Sequence, residues 1–428
     1  MNFLKSSMIT MLSVVARALA ALSINKLFAL YFGATGVALL SHFQNLTGIL
    51  IALPNDGINR GMIKYASSPK ASVRRRAWLA GLGWQALVMI VITLLLWFFG
   101  DYFLAEFEYS NTSAWLIVFF GGLWLYALHF FFLGVLLSEQ KLLPYTFINI
   151  GGSVAVVLIC GVLVWQWHTS LGWALIYFWI GTTLVGLFSW VYVWRTVRFS
   201  LPIRWLFSTK FYQFFWRNSP FRAIGGYVLT ALAVVTFGRM VDFHVREYVI
   251  HRFGMEQTGW WQAVVRLGDL YILPTTAIIN SIFYPKITNS LPDKALVRSY
   301  VREVMRWVVP AAALGFGAMF LVKEYALVWV NAAGFEQAAF LMKYQMAGDF
   351  MKVISYFFAS IVVAQARVRL MLVMELLSVS VYLSCIFTLA PSWGIEGIAL
   401  SHLIRYCFYT STLYALYRYH FRNNGELM

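Results

Sequence analysis

Along this chain apolar residues come in unbroken runs and do not alternate with polar ones. Ala77 to Phe99 and Ser113 to Leu137 each continue for about 20 residues, the length that carries a helix across the hydrocarbon core. A barrel would need period-two alternation in segments of about ten, so the runs predict helices. Twelve such runs can be marked, at about 8–32, 37–65, 77–99, 113–137, 145–166, 173–194, 223–247, 258–284, 304–322, 337–363, 370–390 and 395–417. In lipid every backbone polar group must be satisfied inside its own element, which a helix does. The expected fold class is an all-α integral membrane protein, with twelve transmembrane helices in two six-helix lobes around a central cavity.

Composition agrees with that pattern. Of 428 residues 61% are hydrophobic and 12% charged, too little polar material to coat a water-soluble globule. The 18 Trp and 23 Tyr suit two membrane interfaces. Cys160, Cys385 and Cys407 fall inside apolar runs and read as small core fillers, with no disulfide framework or metal spacing. The first run holds Arg17, Asn25 and Lys26 and lacks a distinct small-residue cleavage site, so it is expected to be a retained span.

Charge sets the orientation. With the N-terminus inside, the cytoplasmic segments hold 21 Lys and Arg, Arg74–Arg76 among them, while only Arg252 and Lys323 lie in outer loops. Both termini are therefore expected in the cytoplasm. The outer loop Gly100 to Thr112 carries Asp101, Glu106 and Glu108 and no base. The net charge of +16 is largely topological, its bases spread over short loops, so nucleic acid is not an expected partner. The short loops also leave no room for a soluble catalytic domain.

The two halves look related. Phe32-Gly33 and Leu46 are echoed by Phe253-Gly254 and Leu267 at an offset of 254 − 33 = 221, and Gly36 by Gly259 at 259 − 36 = 223. The run from Phe131 to Ser138 with Lys141 resembles Phe357 to Ala364 with Arg367 at 357 − 131 = 226. The expected organisation is an N-terminal lobe at 1–197, a basic cytoplasmic linker at 198–222, a C-terminal lobe at 223–417 and a tail at 418–428. Six spans per half give both halves one orientation, with the substrate path expected between them.

Besides Glu247, Arg306 and Glu396 close to span ends, ten bases and five acids fall inside the predicted spans. The bases are Arg17, Lys26, Arg60, Lys64, Arg239, Arg246, Arg266, Lys343, Lys352 and Arg405, and the acids are Asp56, Asp242, Asp269, Asp349 and Glu375. Each costs about 2.5–3.5 kcal/mol at the bilayer centre on insertion scales, so they should face an interior. Helical spacing puts Asp56, Arg60 and Lys64 on one stripe, and Arg239, Asp242 and Arg246 on another. Gln262, Arg266 and Asp269 form a third, and Gln345, Asp349 and Lys352 a fourth. The plainer reading neutralises each acid on its own helix, pairing Asp56 with Arg60, Arg239 with Asp242, Arg266 with Asp269 and Asp349 with Lys352. Lys26, Lys64, Arg246 and Lys343, near span ends, can snorkel to the interface. Cations remain in surplus, which suits an anionic cargo such as a diphosphate. Scattered His residues give no metal cage, and no phosphate-binding glycine loop is present, so neither metal nor nucleotide cofactor is expected. Pro54, Pro274 and Pro310 fall in helical runs and are candidate bending points.

The stretch Asn25 to Gly33, leading into Gly36-Val37 and His42-Phe43-Gln44-Asn45-Leu46, resembles the opening of Wzx-type flippases. These carry O-antigen or lipid III repeat units and belong to the multidrug/oligosaccharidyl-lipid/polysaccharide (MOP) exporter superfamily. Within that family the likeness runs toward the flippases of enterobacterial common antigen synthesis. Similar runs follow in order at Gly57-Ile58 with Gly61 and Lys64-Tyr65, Gly259 with Trp261-Gln262 and Asp269, Gln345 with Gly348-Asp349 and Lys352, and Ala366 with Arg369 and Glu375. The resemblance implies a MATE-like two-lobed fold with a cationic cavity, working by alternating access on undecaprenyl-diphosphate-linked sugars. It favours Lys26, Lys64, Asp269, Asp349 and Lys352; Arg60, Arg239, Asp242 and Arg266 stand outside the family pattern. The residues expected to bind substrate are Arg17, Lys26, Arg60, Lys64, Arg239, Arg266 and Lys352. Those expected to gate or couple to an ion are Asp56, Asp242, Asp269 and Asp349. A polysaccharide polymerase and a chain-length regulator come with the family as partners, beside membrane lipids. The competing expectation is a cation-coupled multidrug exporter of the same superfamily.

Overall fold

The computed structural model describes residues 3–66, 68, 70–104, 107, 113–167, 170–197, 219–365 and 367–421. Most of the predicted 198–222 linker, Glu106 and Glu108 of the outer loop, and residues 422–428 of the tail lie outside the described residues.

Helices account for nearly all of what is described. They are α1 (Phe3–Ala66), α2 (Ala71–Leu104), α3 (Ser113–Ser138), α4 (Leu142–Trp167), α5 (Leu171–Val197), α6 (Ser219–Val235) and α7 (Val241–Ile278). After them come α8 (Tyr284–Ser290), α9 (Lys294–Glu303), α10 (Val309–Leu321), α11 (Lys323–Val330), α12 (Met342–Ala364), α13 (Val368–Trp393) and α14 (Glu396–Phe421). Among the described residues eight helical stretches are long and apolar enough to cross a membrane. The chain is a multi-pass membrane protein.

α1 carries two predicted spans, and α7 carries the end of one and most of the next; a single glycine breaks each helix. Gly33 sits at φ 62°, ψ −151° and Gly254 at φ 81°, ψ 169°, conformations open to glycine and costly for a residue with a Cβ. These are the two glycines of the Phe-Gly echo. Counting both limbs of α1 and α7, helical segments overlie all twelve predicted runs. Pro54 and Pro274 lie inside α1 and α7, while Pro310 is at the start of α10, directly after a π-helical turn at Val304–Val308.

Two compact units result. The first comprises Met1–Phe28 and Leu39–Phe243, the second Ala29–Ala38 and His244–Met428. In the first, Ile58, Met62, Trp78, Phe131, Leu136 and Ile224 share a buried cluster that ties α1, α2, α3 and α6 together. The Trp84 ring stacks on Phe221 at 4.7 Å and its indole N–H donates to the Phe221 carbonyl at 2.8 Å, fixing α2 against α6. A second aromatic cluster joins Phe43, Phe119 and Trp179, with Trp179 Nε1 donating to the Phe119 carbonyl at 3.2 Å.

In the second unit α14 packs along α12 and α13. Gly259 of α7 lies against the backbone of Ala34 so closely that any Cβ would collide with the Ala34 carbonyl. Large apolar side chains cover the outside of both units: Trp97 is 77% exposed, Phe188 70% and Leu314 76%. Apolar residues on this scale are stable only where the surroundings are lipid.

Candidate functional site

In the first unit Asp56 and Arg239 line a cavity of about 270 Å³. Arg239 belongs to a π-helical turn, Thr236–Met240, which inserts an extra residue into the helical repeat and re-aims the side chains there. Its Nη1 donates to the Gly48 carbonyl at 3.0 Å and its Nη2 lies 3.9 Å from Asp56 Oδ2. A Cβ on residue 48 would stand 3.3 Å from that guanidinium, so glycine leaves it room. Asn55, Tyr126, Phe178 and Trp179 complete the wall. A second cavity of about 210 Å³ shares Gln44, Tyr126, Phe178 and Thr182 with the first, and Arg17 lines it.

In the second unit the centre is Asp349, only 1% exposed. A buried carboxylate needs hydrogen bonds to offset lost hydration. Tyr271 of α7 donates its hydroxyl to Oδ2 at 2.7 Å, His402 of α14 places Nε2 2.9 Å from Oδ1, and Gln345 one turn earlier donates to Oδ1 at 3.3 Å. Two glycines make the space. A Cβ on Gly268 would stand 2.7 Å from Asp349 Oδ2, and one on Gly348 would collide with the His402 ring.

Beside this carboxylate runs a file of cations and aromatic rings. The Lys352 ammonium stands 6.0 Å from the centroid of Tyr356 and 5.8 Å from that of Tyr406. The Arg405 guanidinium stands 5.3 Å from the same Tyr406 ring, so one phenol serves both cations. Arg405 in turn donates to Glu375 at 3.1 Å and to Ser378 at 3.0 Å. Asp269, exposed on α7, lies within electrostatic range of Lys352.

The expected same-helix neutralisation is corrected at three pairs. Among the described residues no ion pair joins Asp56 to Arg60, Arg239 to Asp242, or Asp349 to Lys352; Asp56 reaches Arg239, and Asp349 is held by Tyr271 and His402. Arg60, Lys64 and Asp242 are exposed, and Lys26 and Arg266 are half-buried. Lys64 donates to the Tyr227 hydroxyl at 3.1 Å, and Lys343 pairs with Glu396 at 2.7 Å. Sequence reasoning missed Tyr271 as a partner and did not join Arg405 to Glu375. The available signals were Tyr271 two residues after Asp269, and His402 and Arg405 three apart on one helix face.

The chain aligns with an inward-facing multidrug resistance MATE family transporter of the MOP superfamily at TM-score 0.74 and 11% identity, covering 95% of this chain and 94% of that one. It aligns with the lipid II flippase MurJ in an inward closed conformation at TM-score 0.71 and 12% identity, covering 96% and 87%. The fold is thus that of the MOP exporters.

A sequence relative is more particular. The chain is 23% identical over 424 residues to the lipid III flippase of Escherichia coli (strain K12), covering 96% of this chain and 97% of that protein. The lipid III flippase of Shigella flexneri gives the same figures. No family profile matches the sequence.

Proposed function

We propose that this chain is a flippase that moves an undecaprenyl-diphosphate-linked oligosaccharide repeat unit from the cytoplasmic to the periplasmic leaflet by alternating access. The observation that carries the reading is the end-to-end likeness to the lipid III flippases, which leaves neither chain with an unmatched domain. The intramembrane charges support it: bases exceed acids in the predicted spans, as an anionic head group requires. A cationic drug would call for the opposite balance, so the multidrug exporter reading rests on fold likeness alone.

In this reading the protein sits in the bacterial inner membrane with both termini in the cytoplasm, and the basic segment 198–222 lies on the cytoplasmic side. Arg17, Lys26, Arg60, Lys64, Arg239, Arg266 and Lys352 contact the anion and glycan. Asp56, Asp242, Asp269 and Asp349 act in gating or ion coupling. The diphosphate is held by charge and hydrogen bonds while the polyprenyl tail stays in lipid, and no bond in the cargo is broken. A polysaccharide polymerase and chain-length regulator are the downstream partners.

Complementation tests this directly. Expressed in a strain lacking its lipid-linked-oligosaccharide flippase, the chain restores surface polysaccharide. Drug resistance that tracks expression, without restored polysaccharide, would establish the multidrug reading instead.

A further inference from the structure

In the second unit α9 has one apolar side and one basic side. Val297 and Val301 are buried, as is Val304 in the turn that follows, while Lys294, Arg298 and Arg302 succeed one another at four-residue steps along the other side. Arg306 continues the series in the π-helical turn Val304–Val308, and Trp307 beside it is 65% exposed. The helix then runs on as the apolar α10. The boundary between water and hydrocarbon therefore falls near Arg306 and Trp307, since a base that can snorkel and an indole are the side chains such a boundary retains.

More cations meet α9 from other segments. Arg298 donates to the Phe421 carbonyl at 3.0 Å, which ties α9 to the C-terminal end of α14 and supplies that helix end with the positive charge its dipole favours. Arg367, just before α13, places Nη2 3.4 Å from Nδ1 of His420 on the same end. A guanidinium only donates, so Nδ1 accepts and the imidazole is neutral. Burial, then the charges of Arg367 and Lys294, hold His420 below its ordinary pKa. Arg302 lies within electrostatic range of Tyr417, one turn earlier on α14.

The nearby acids leave these charges unmatched. Asp293 caps α9, its Oδ1 accepting from the Ala295 and Leu296 amides at 2.9 and 3.0 Å. Glu303 is exposed and pairs with none of the bases, and among the described residues Lys294, Arg302, Arg306 and Arg367 form no ion pair. Positive charges held this near one another repel unless an anion lies among them.

We infer that α9, the segment before α13 and the last turn of α14 form a binding site for the headgroup of an anionic phospholipid of the surrounding bilayer. Its phosphate is set among Lys294, Arg302 and Arg367, and its acyl chains run down the lipid-facing side of α10. Two features select a lipid over a soluble anion: the bases stand at the membrane boundary, and the surface beyond it is apolar, with Leu314 76% exposed. The site is separate from the intramembrane charges assigned to the cargo and stands whether or not the flippase reading holds. In the orientation that the loop charges lead one to expect, it draws on the cytoplasmic leaflet.

Thermal unfolding of the full-length protein in detergent micelles tests the site, with dioleoylphosphatidylglycerol, dioleoylphosphatidylcholine or inorganic phosphate as the probe. Phosphatidylglycerol is expected to raise the midpoint, phosphatidylcholine to raise it less because its headgroup has no net charge, and inorganic phosphate to leave it unchanged. In the triple variant Lys294→Gln, Arg302→Gln and Arg367→Gln, all at exposed positions, the phosphatidylglycerol needed for half the rise increases by about tenfold or more, as loss of charge-assisted contacts requires. Arg302→Gln alone gives a smaller change in the same direction, which keeps the test available if the triple variant does not fold. A matched control, Lys70→Gln with Arg75→Gln and Arg76→Gln, removes as many exposed bases at the start of α2 and keeps the wild-type response. Equal rises with the two lipids, or equal losses in the two triple variants, overturn the site and leave only diffuse charge. A rise with inorganic phosphate to match phosphatidylglycerol overturns the lipid assignment.

Discussion

The hydroxyl of Tyr271 donates to Oδ2 of Asp349 at 2.7 Å, joining α7 to α12 through a carboxylate that is 1% exposed. A hydrogen bond to a charged group of this kind is worth about 1.5–3 kcal/mol, and a buried carboxylate deprived of it loses more than the bond. Tyr271→Phe is therefore expected to lower the thermal unfolding midpoint in detergent, with the phenyl ring still packed on Phe316 at 4.8 Å. Gly348→Ala, which drives a methyl group into His402, lowers it further. A Tyr271→Phe protein that melts with wild type would show that the hydroxyl contributes nothing there.

The glycine breaks make a separable prediction. A Cβ added at Gly254 would meet no atom within 4 Å, yet the residue sits at φ 81°, ψ 169°, so Gly254→Ala meets only the backbone penalty of a region essentially reserved for glycine, about 1–3 kcal/mol. Gly259→Ala meets the Ala34 backbone and costs more. Gly121→Ala, helical with open space, is neutral or slightly stabilising. Folded yield after membrane extraction should rank Gly121→Ala above Gly254→Ala, and Gly254→Ala above Gly259→Ala.

Arg405 and Glu375 are tied at 3.1 Å across α14 and α13. Removing one charge strands the other in a low-dielectric setting, so either single substitution to Gln is worse than both together. Thermal midpoints of the two single variants and the double variant close the cycle, with a coupling of about 0.5–3 kcal/mol expected. Additive effects would mean the pair is not energetically joined. Arg405→Lys loses the simultaneous contacts to Glu375 and Ser378, since an ammonium lacks the planar fork.

Arg239 and Asp56 can be tested by reversal. Arg239→Gln is expected to reduce export at least tenfold at normal protein level, because the fork that faces the cavity is gone. The exchanged variant, Arg239→Asp with Asp56→Arg, keeps a pair of opposite charges but moves the cation off the π-helical turn. Restored protein level without restored export identifies a cargo-facing role; full export from the exchanged variant would reduce the pair to a structural tie.

Orientation has its own measurement. A fluorescent-protein fusion at the C-terminus should be bright and an alkaline phosphatase fusion there inactive, as 21 cytoplasmic bases against two outside require. The opposite pattern would invert every assignment of inside and outside made from the loops.

What the sequence determined by itself was the solvent, the element type and the repeat. Lipid imposes one solution on the backbone, so unbroken apolar runs translate into helices whatever their neighbours are. The Phe-Gly echo at Gly33 and Gly254 was legible because a positive φ calls for glycine, and that requirement is local to the residue. Partner choice was not local. Asp56 could meet Arg60 or Arg239, and Asp349 could meet Lys352 or His402, with equal propriety along the chain. Only packing decided: the π-helical turn that re-aims Arg239, and the glycines at 268 and 348 that let Tyr271 and His402 reach one carboxylate. Side chains pair through space, and helix periodicity fixes a face without naming what stands opposite it.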